Sequence, residues 1–568
     1  NAVTPPTLGE NAIGSSVKEI KVPISSIAAY KQANGWKNFS NYCSGEVVNN
    51  GITYRIDENG ATITAAEATL TEANIPSVVE FEGNQYPVIK INDRVFSDNI
   101  NLTSVKIDNG LVEICRLAFN GCQNLESVVL PESLTTLGNN AFQYCKSLRA
   151  VKIPSKVTTI PDQCFDGCSL LNSVTIPEGV TAIGDHAFGF CSLSNALTLP
   201  ESLETIGSCA FYNNRTLRSV NIPAKVKKIE ERAFSLCGLT GLVIPEGVQT
   251  IGSDAFYKNS LENLTLPSTI TSIGGGAFGD INNLESIICN AATPPTLGAG
   301  AFSIDINPVI KVPISSIAAY RKASGWKVFT NYYGGEMIAD GITYRINEKE
   351  AMVAAVEPSL TEANIPSAVE FEGNQYPVIK INDNVFADNT NLTAVTLPEG
   401  LVEIGNSAFS GCQNLESLVL PESLTTFGRD AFNDCRLLKA IKIPSGVTTI
   451  PDRCFYGCSS LESVTIPDGV TAIGDDAFQS CNLNALTLPE SLETIGIYAF
   501  CNNSSLKSVN IPAKVKTIGE RAFSSCGLTG LVIQEGVQAI GNYAFERNSL
   551  QNLTLPSTIT SIGGGAFG

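Results

Sequence analysis

Histidine is nearly absent from this chain: a single residue, His186, occurs in 568, beside two tryptophans and two methionines. A lone imidazole cannot supply the clustered ligands of a zinc site. A catalytic histidine carried by a repeated scaffold would also recur in the second half of the chain, where the equivalent residue is Asp476. Basic residues are scarce too, 37 against 55 acidic ones. The resulting formal net charge of −18 withholds the positive footprint that nucleic-acid binding requires. No apolar run approaches the length of a membrane span. No secretory leader is visible, yet the chain opens at Asn1 without methionine, so the missing leader does not argue for the cytosol. A phosphate-cradling glycine loop with its lysine, an EF-hand spacing and a His-Glu-x-x-His pair are all missing. The carboxylates fall at repeat positions such as Glu132, Glu178, Glu201 and Glu246, just after a strand proline, and read as a solvated rim. An enzyme is not expected, nor a cofactor or a resident metal.

What the chain has in abundance is periodicity. Phenylalanine recurs at Phe96, Phe119, Phe142, Phe165, Phe188, Phe211 and Phe234, then at Phe256 and Phe278 after slightly shorter intervals. A fixed period of this size marks a solenoid, in which each unit stacks only on its neighbours. A longer period lies above it. Asn1-Ala-Val-Thr-Pro-Pro-Thr-Leu-Gly9 returns as Asn290 to Gly298, and Gly51-Ile-Thr-Tyr-Arg-Ile56 as Gly341 to Ile346. The second array carries Phe386, Phe409, Phe432, Phe455, Phe478, Phe500, Phe523, Phe545 and Phe567, and a one-residue deletion near Leu488 shortens its offset from the first.

Within a repeat, Leu125-x-x-Val128-x-Leu130-Pro131 reads as a short strand with alternating apolar residues and a closing proline. The next segment, Leu134-x-x-Leu137-Gly138 followed by Ala141-Phe142-x-x-Cys145, is expected to turn the chain back toward the following strand. Of 17 cysteines, ten stand three residues after a repeat phenylalanine, from Cys122 to Cys526. Small buried thiols inside the coil explain such a column. Metal binding and disulfides remain as alternatives, because Cys164 and Cys168 form a C-x3-C pair that recurs at Cys454 and Cys458. Cys164 replaces the alanine of Ala-Phe, an interior position, and no second pair accompanies it.

The pattern Cys-x-x-Leu-x-x-Val-x-Ile-Pro-x-x-Val-x-x-Ile-Gly-x-x-Ala-Phe, seen from Cys168 to Phe188, resembles the BspA-like, Treponema-type leucine-rich repeats of bacterial surface proteins, including those of gut Bacteroidetes. The resemblance implies a right-handed leucine-rich-repeat coil with short parallel strands, located outside the cell and often serving as an adhesin. It implies no particular ligand, since such proteins share a scaffold rather than a target.

Two segments break the period. Ser25 to Trp36 reads as a short capped helix carrying Ile27, Tyr30 and Trp36, with a twin from Ser315 to Trp326. A helix laid across an interrupted stack would cover its apolar end; Trp36 as a ligand-stacking residue is the alternative. After the first helix come two hairpin patterns. One turns at Asn59-Gly60; the other runs from Val78 to Val88, turns at Gly83-Asn84 and places Phe81 and Tyr86 near its tip. The expected organisation is therefore the end of an array at 1–20, a helix-plus-hairpin cap at 21–86, a first array at 87–310, a second cap at 311–376 and a second array at 377–568. Asn1 reads like the close of a preceding module and Gly568 follows straight after Ala566-Phe567, so a longer parent protein is expected.

The candidate ligand face is the outward strand position between the last two buried residues. In the first array it runs Val129, Lys152, Thr175, Thr198, Asn221, Val243 and Thr265. The second repeats the types in order: Val419, Lys442, Thr465, Thr487, Asn510, Val532 and Thr554. This strip is small, β-branched and nearly neutral, without the aromatic faces that sugars stack on or the basic clusters that phosphates need. It suits a protein or extracellular-matrix partner bound through many weak contacts, with avidity from the duplication. A structural stalk projecting another domain is the alternative.

Overall fold

The Ala-Phe corner sets how one rung sits on the next. Residues two before and two after the repeat phenylalanines from Phe96 to Phe278 and from Phe386 to Phe545 take left-handed backbone angles, as at Asn140 (φ 60°) and Tyr144 (φ 60°) around Phe142. Such angles cost about 1–2 kcal/mol at a residue other than glycine. Here they aim three successive N–H groups at the following rung: Asn140 to the carbonyl of Asp162, Phe142 to that of Cys164 and Tyr144 to that of Asp166, at 3.0, 2.8 and 2.8 Å. The phenylalanine itself points inward. Phe96 through Phe302 form one stack, and Phe386 through Phe567 a second, with neighbouring centroids 4.7–5.6 Å apart.

These features belong to a computed structural model that describes residues 2–8, 12, 13, 17, 19–39, 41–303 and 305–568. The chain is a β-solenoid made of two compact units, Asn1–Tyr332 and Tyr333–Gly568. The expected array end at 1–20 falls partly outside the described residues.

Each rung contributes two strands rather than one. The expected Val-x-Ile strand is present, in parallel register from rung to rung: Val128 pairs with Val105, and Val151 with Val174. The Thr-x-Ile-Gly segment, expected only to return the chain, forms a second parallel ladder in which Ile160, Ile183 and Ile206 follow one another. In the first unit this second ladder holds seven strands without a break, from Thr159–Ile160 to Thr296–Leu297. Over the same rungs the Val-x-Ile side falls into separate short sheets. A coil that bends brings its rungs closer on one side and spreads them on the other, and strand pairing survives where they are close.

The glycine that follows the isoleucine on most rungs marks the close side. A Cβ built on Gly184 or Gly207 would lie 2.6 Å from the backbone nitrogen of Asp162 or Asp185 on the preceding rung. Gly428 and Gly541 show the same approach in the second unit.

The hairpins lead into a separate sheet on the same side, which runs on to Thr136–Leu137. Ile52–Asp57 and Gly60–Ala66 pair antiparallel, Gly60–Ala66 pairs parallel with Asn84–Ile91, and Asn84–Ile91 pairs with Glu113–Ile114. The second unit opens in the same way through Ile342–Ile346, Ala351–Val356 and Asn374–Ile381. At the far end of the first unit the helix Ile317–Lys322 lays Trp326 against Phe302, centroids 5.6 Å apart, and terminates the stack.

Candidate interaction faces

The fourteen candidate positions stand on the widely spaced Val-x-Ile side. All are exposed except Thr265, which is half-buried. Lys152 and Thr175, Thr198 and Asn221, Val243 and Thr265, Lys442 and Thr465, and Asn510 and Val532 are adjacent across paired rungs. Val419, Thr487 and Thr554 lie outside strands. Thr487 lies beside the one-residue deletion. The same column continues beyond the candidates to Asn74, Lys106, Ile288 and Lys311, whose registers come from the pairing and not from the phrase.

Three members of the strip are held by neighbours. Lys152 binds Glu132 at 2.6 Å, and Lys442 binds Glu422 at 2.5 Å. These lysines, together with the Ser155 and Ser445 N–H groups, hold both carboxyls below the usual range. Asn221 donates to the Leu199 carbonyl at 3.0 Å and accepts the Leu199 N–H at 2.7 Å, so its amide ties two rungs together. The acidic rim does similar work. Glu178 accepts the N–H of Glu201, and Glu246 accepts the N–H and hydroxyl of Ser268.

The close side carries an open hollow of about 1140 Å³ across four rungs from Thr159 to Glu230. Its floor is Thr159, Ala182, Thr205 and Lys228; Asp162, Asp185 and Glu204 supply negative charge toward one end, and Lys225 and Lys227 positive charge at the other, where Lys228 is paired with Glu230 at 2.7 Å. Sequence reasoning passed over this face by treating Thr-x-Ile-Gly as a return segment. The regularly placed glycine was the signal, because it permits rungs to approach.

The other candidates resolve into packing. All 17 cysteines are free, and every one except Cys209 is buried. Cys122 donates to the Phe96 carbonyl at 3.0 Å, Cys145 to Phe119 at 3.2 Å and Cys168 to Phe142 at 3.1 Å. Burial pushes the Cys122 and Cys458 thiols up to about 12, which disfavours the thiolate needed for metal binding. Trp36 is buried and donates to the Pro6 carbonyl, while Trp326 donates to Pro295 at 2.9 Å. Phe81 packs over Gly45, as Phe371 does over Gly335. His186 is half-buried at a left-handed corner (φ 53°). No helix among the described residues is long and apolar enough to cross a membrane.

Parallel ladders, a phenylalanine stack and a terminating helix define a leucine-rich-repeat solenoid. The family described as BspA type Leucine rich repeat region (6 copies) matches residues 89–218, 195–307, 379–504 and 471–568, and the chain belongs to that family. Among solved structures, a leucine rich cell surface protein from Faecalibacterium prausnitzii is 23% identical, covering 86% of this chain and 95% of its own, with a TM-score of 0.30. A leucine-rich repeat protein from Bacteroides ovatus is 22% identical, covering 91% of this chain and 99% of its own, with a TM-score of 0.28. The Treponema pallidum leucine rich repeat protein is 22% identical over 42% of this chain and 91% of its own, with a TM-score of 0.26. The sequence has no match among curated proteins.

Proposed function

We propose that this protein is a non-enzymatic interaction protein of the cell surface or the secreted fraction, adhesin-like, which grips a protein or matrix partner along its solenoid faces. The observation that carries this reading is the close-spaced ladder with its open hollow. The hollow is floored by paired parallel strands and lined by carboxylates and lysines. An extended partner segment carrying a basic part and an acidic part complements the Asp162–Asp185–Glu204 end and the Lys225–Lys227 end. The Val129-to-Thr265 and Val419-to-Thr554 strip is the competing face, and a stalk would use neither.

A panel of immobilised extracellular-matrix proteins, probed with the intact chain, separates these readings. Lys225→Glu with Lys227→Glu should weaken capture at least tenfold, and Lys152→Gln with Lys442→Gln should leave it unchanged. The reverse ranking would move the contact to the wide side. Capture by no member of the panel, or indifference to both pairs, would favour the stalk.

A further inference from the structure

In a chain of net charge −18, cations without a carboxylate partner stand out. Three of them share one edge of the first array. Lys146 and Arg215 each follow a repeat phenylalanine by four residues and lie three rungs apart, with Ser169 and Ser192 at the same position on the rungs between. Both cations are exposed, and among the described residues their partners are neutral: Lys146 Nζ donates to Gln123 Oε1 at 3.3 Å, and Arg215 Nε to Asn213 Oδ1 at 2.9 Å. Arg218 donates to the Gly238 carbonyl at 3.0 Å. Its guanidinium lies beside the Arg215 carbonyl, where a Cβ on Gly238 would fall.

Two hollows of about 340 and 300 Å³ run between these ends and share Ser169 and Phe190. The first reaches Lys146 and the second Arg215, so the edge carries one trough with a cation at each end. Phe190, 45% exposed and met edge-on by Tyr212 at 5.1 Å, stands between them. The floor serines have spent their protons: Ser169 donates to the Lys146 carbonyl at 3.4 Å and Ser192 to the Ser169 carbonyl at 2.7 Å, which leaves both oxygens as acceptors. The second array lacks this edge. There Arg436 replaces Lys146 and lies 3.6 Å from Asp434, Ser504 replaces Arg215, and Ser480 replaces Phe190.

We infer that this trough binds an extended acidic segment of a partner protein. One carboxylate sits on Lys146, a second on Arg215 and Arg218, an apolar side chain on Phe190 between them, and backbone N–H groups on the floor serines. Neighbouring phenylalanine rings are 5.4–5.6 Å apart over these rungs, which separates the ends by roughly 16 Å. Four steps of extended chain cover about 13 Å and return every second side chain to one face, and the long cationic arms reach the remainder. The matching pattern is therefore acidic-x-apolar-x-acidic. A sulfated polysaccharide would also seek these cations, but its charges repeat along the whole chain. Those in the middle would fall beside Asp166, which lines the trough, and on serines with no proton to give. No residue of this trough lines the close-side hollow, so the two contacts are independent.

The test is fluorescence polarisation of labelled peptides with the full chain at low ionic strength. The probe is Gly-Glu-Ser-Leu-Ser-Glu-Gly, and a comparison peptide of the same composition places its two glutamates side by side. The probe should bind at least fivefold more tightly. Lys146→Gln combined with Arg215→Ser should weaken it at least tenfold and Phe190→Ser at least threefold, whereas Lys349→Gln in the second unit should leave it unchanged. All these side chains are exposed, and serine already stands at the positions equivalent to Arg215 and Phe190 in the second array. No binding of the probe, equal binding of the two peptides, or indifference to the substitutions would each overturn the assignment. A heparin tetrasaccharide that binds more tightly than the probe and ignores Phe190→Ser would overturn it too, by showing that the trough reads charge alone.

Discussion

At the residue scale, one column can change chemistry while keeping its geometry. Three residues after the repeat phenylalanine, Cys145 gives its thiol to the Phe119 carbonyl, whereas Asn214 gives its amide to both Phe188 and Phe211 at 2.9 Å. Asn259 and Asn503 repeat the asparagine version. The cysteines were legible as interior because they kept a fixed distance from phenylalanine. Their acceptor was not, because a backbone carbonyl on the preceding rung leaves no mark in the sequence. Asp166 is the opposite case, a charged group at a corner with no repeated identity. Burial raises its carboxyl above the ordinary value, against the lowering effects of Gln143 and His186. An acid whose folded pKa is raised costs stability when ionised, so the cost grows as pH climbs through the carboxylate range and is complete at neutrality. Asp166→Asn should therefore raise the melting temperature of the chain at pH 7. The difference from the parent should vanish near pH 3, where both folded and unfolded carboxyls are protonated. Thermal melts at the two pH values check this. A stabilisation of equal size at both would assign the effect to packing instead.

At the scale of the rung, strand identity was legible on one side only. Val-x-Ile-Pro alternates and stops at proline, as a strand does; Thr-x-Ile-Gly is too short to show alternation, and its pairing comes from how closely the rungs approach. Glycine carries that information. At Gly207 an added Cβ would sit 2.6 Å from both the Asp185 backbone nitrogen and the Gly184 carbonyl carbon, and backbone cannot swing aside as a side chain does. Gly207→Ala should therefore cost about 1–3 kcal/mol, the range for forcing atoms into a packed interior, read as a lower denaturant midpoint. The rungs at Pro161 and Glu230 tolerate larger residues in this column, so the strain is set by local spacing rather than by the column as such. Gly241 provides the comparison: on the Val-x-Ile side, it has open space where its Cβ would lie. Gly241→Ala should be close to neutral, and a loss equal to that at Gly207 would contradict the assignment of a close and a wide side.

At the scale of the molecule, a stack of identical rungs has no internal reason to stop. Every phenylalanine presents a bare ring to the next position, and the last one would present it to water. The first unit solves this with Trp326, fully buried, which is tilted against Phe302 while Phe329 meets the same ring edge-on at 5.9 Å. Tyr320 fastens the helix to the array by donating to the Ala291 carbonyl at 2.8 Å and sharing a contact with Cys289 at 3.1 Å. Sequence reasoning reached the role of this helix because the period broke there and an exposed apolar end needed cover. The tilted ring and the tyrosine anchor required coordinates. Removing the indole by Trp326→Ala should cost about 3–5 kcal/mol, the range for deleting a buried large aromatic. Unfolding should begin at that end, because a solenoid is stabilised rung by rung through its neighbours. Hydrogen exchange would show it: amides of the rungs around Phe302 and Phe278 should lose protection first, with those around Phe142 following only in global unfolding. Uniform loss along the whole first unit would mean that the array melts as one block and that the cap protects no particular end.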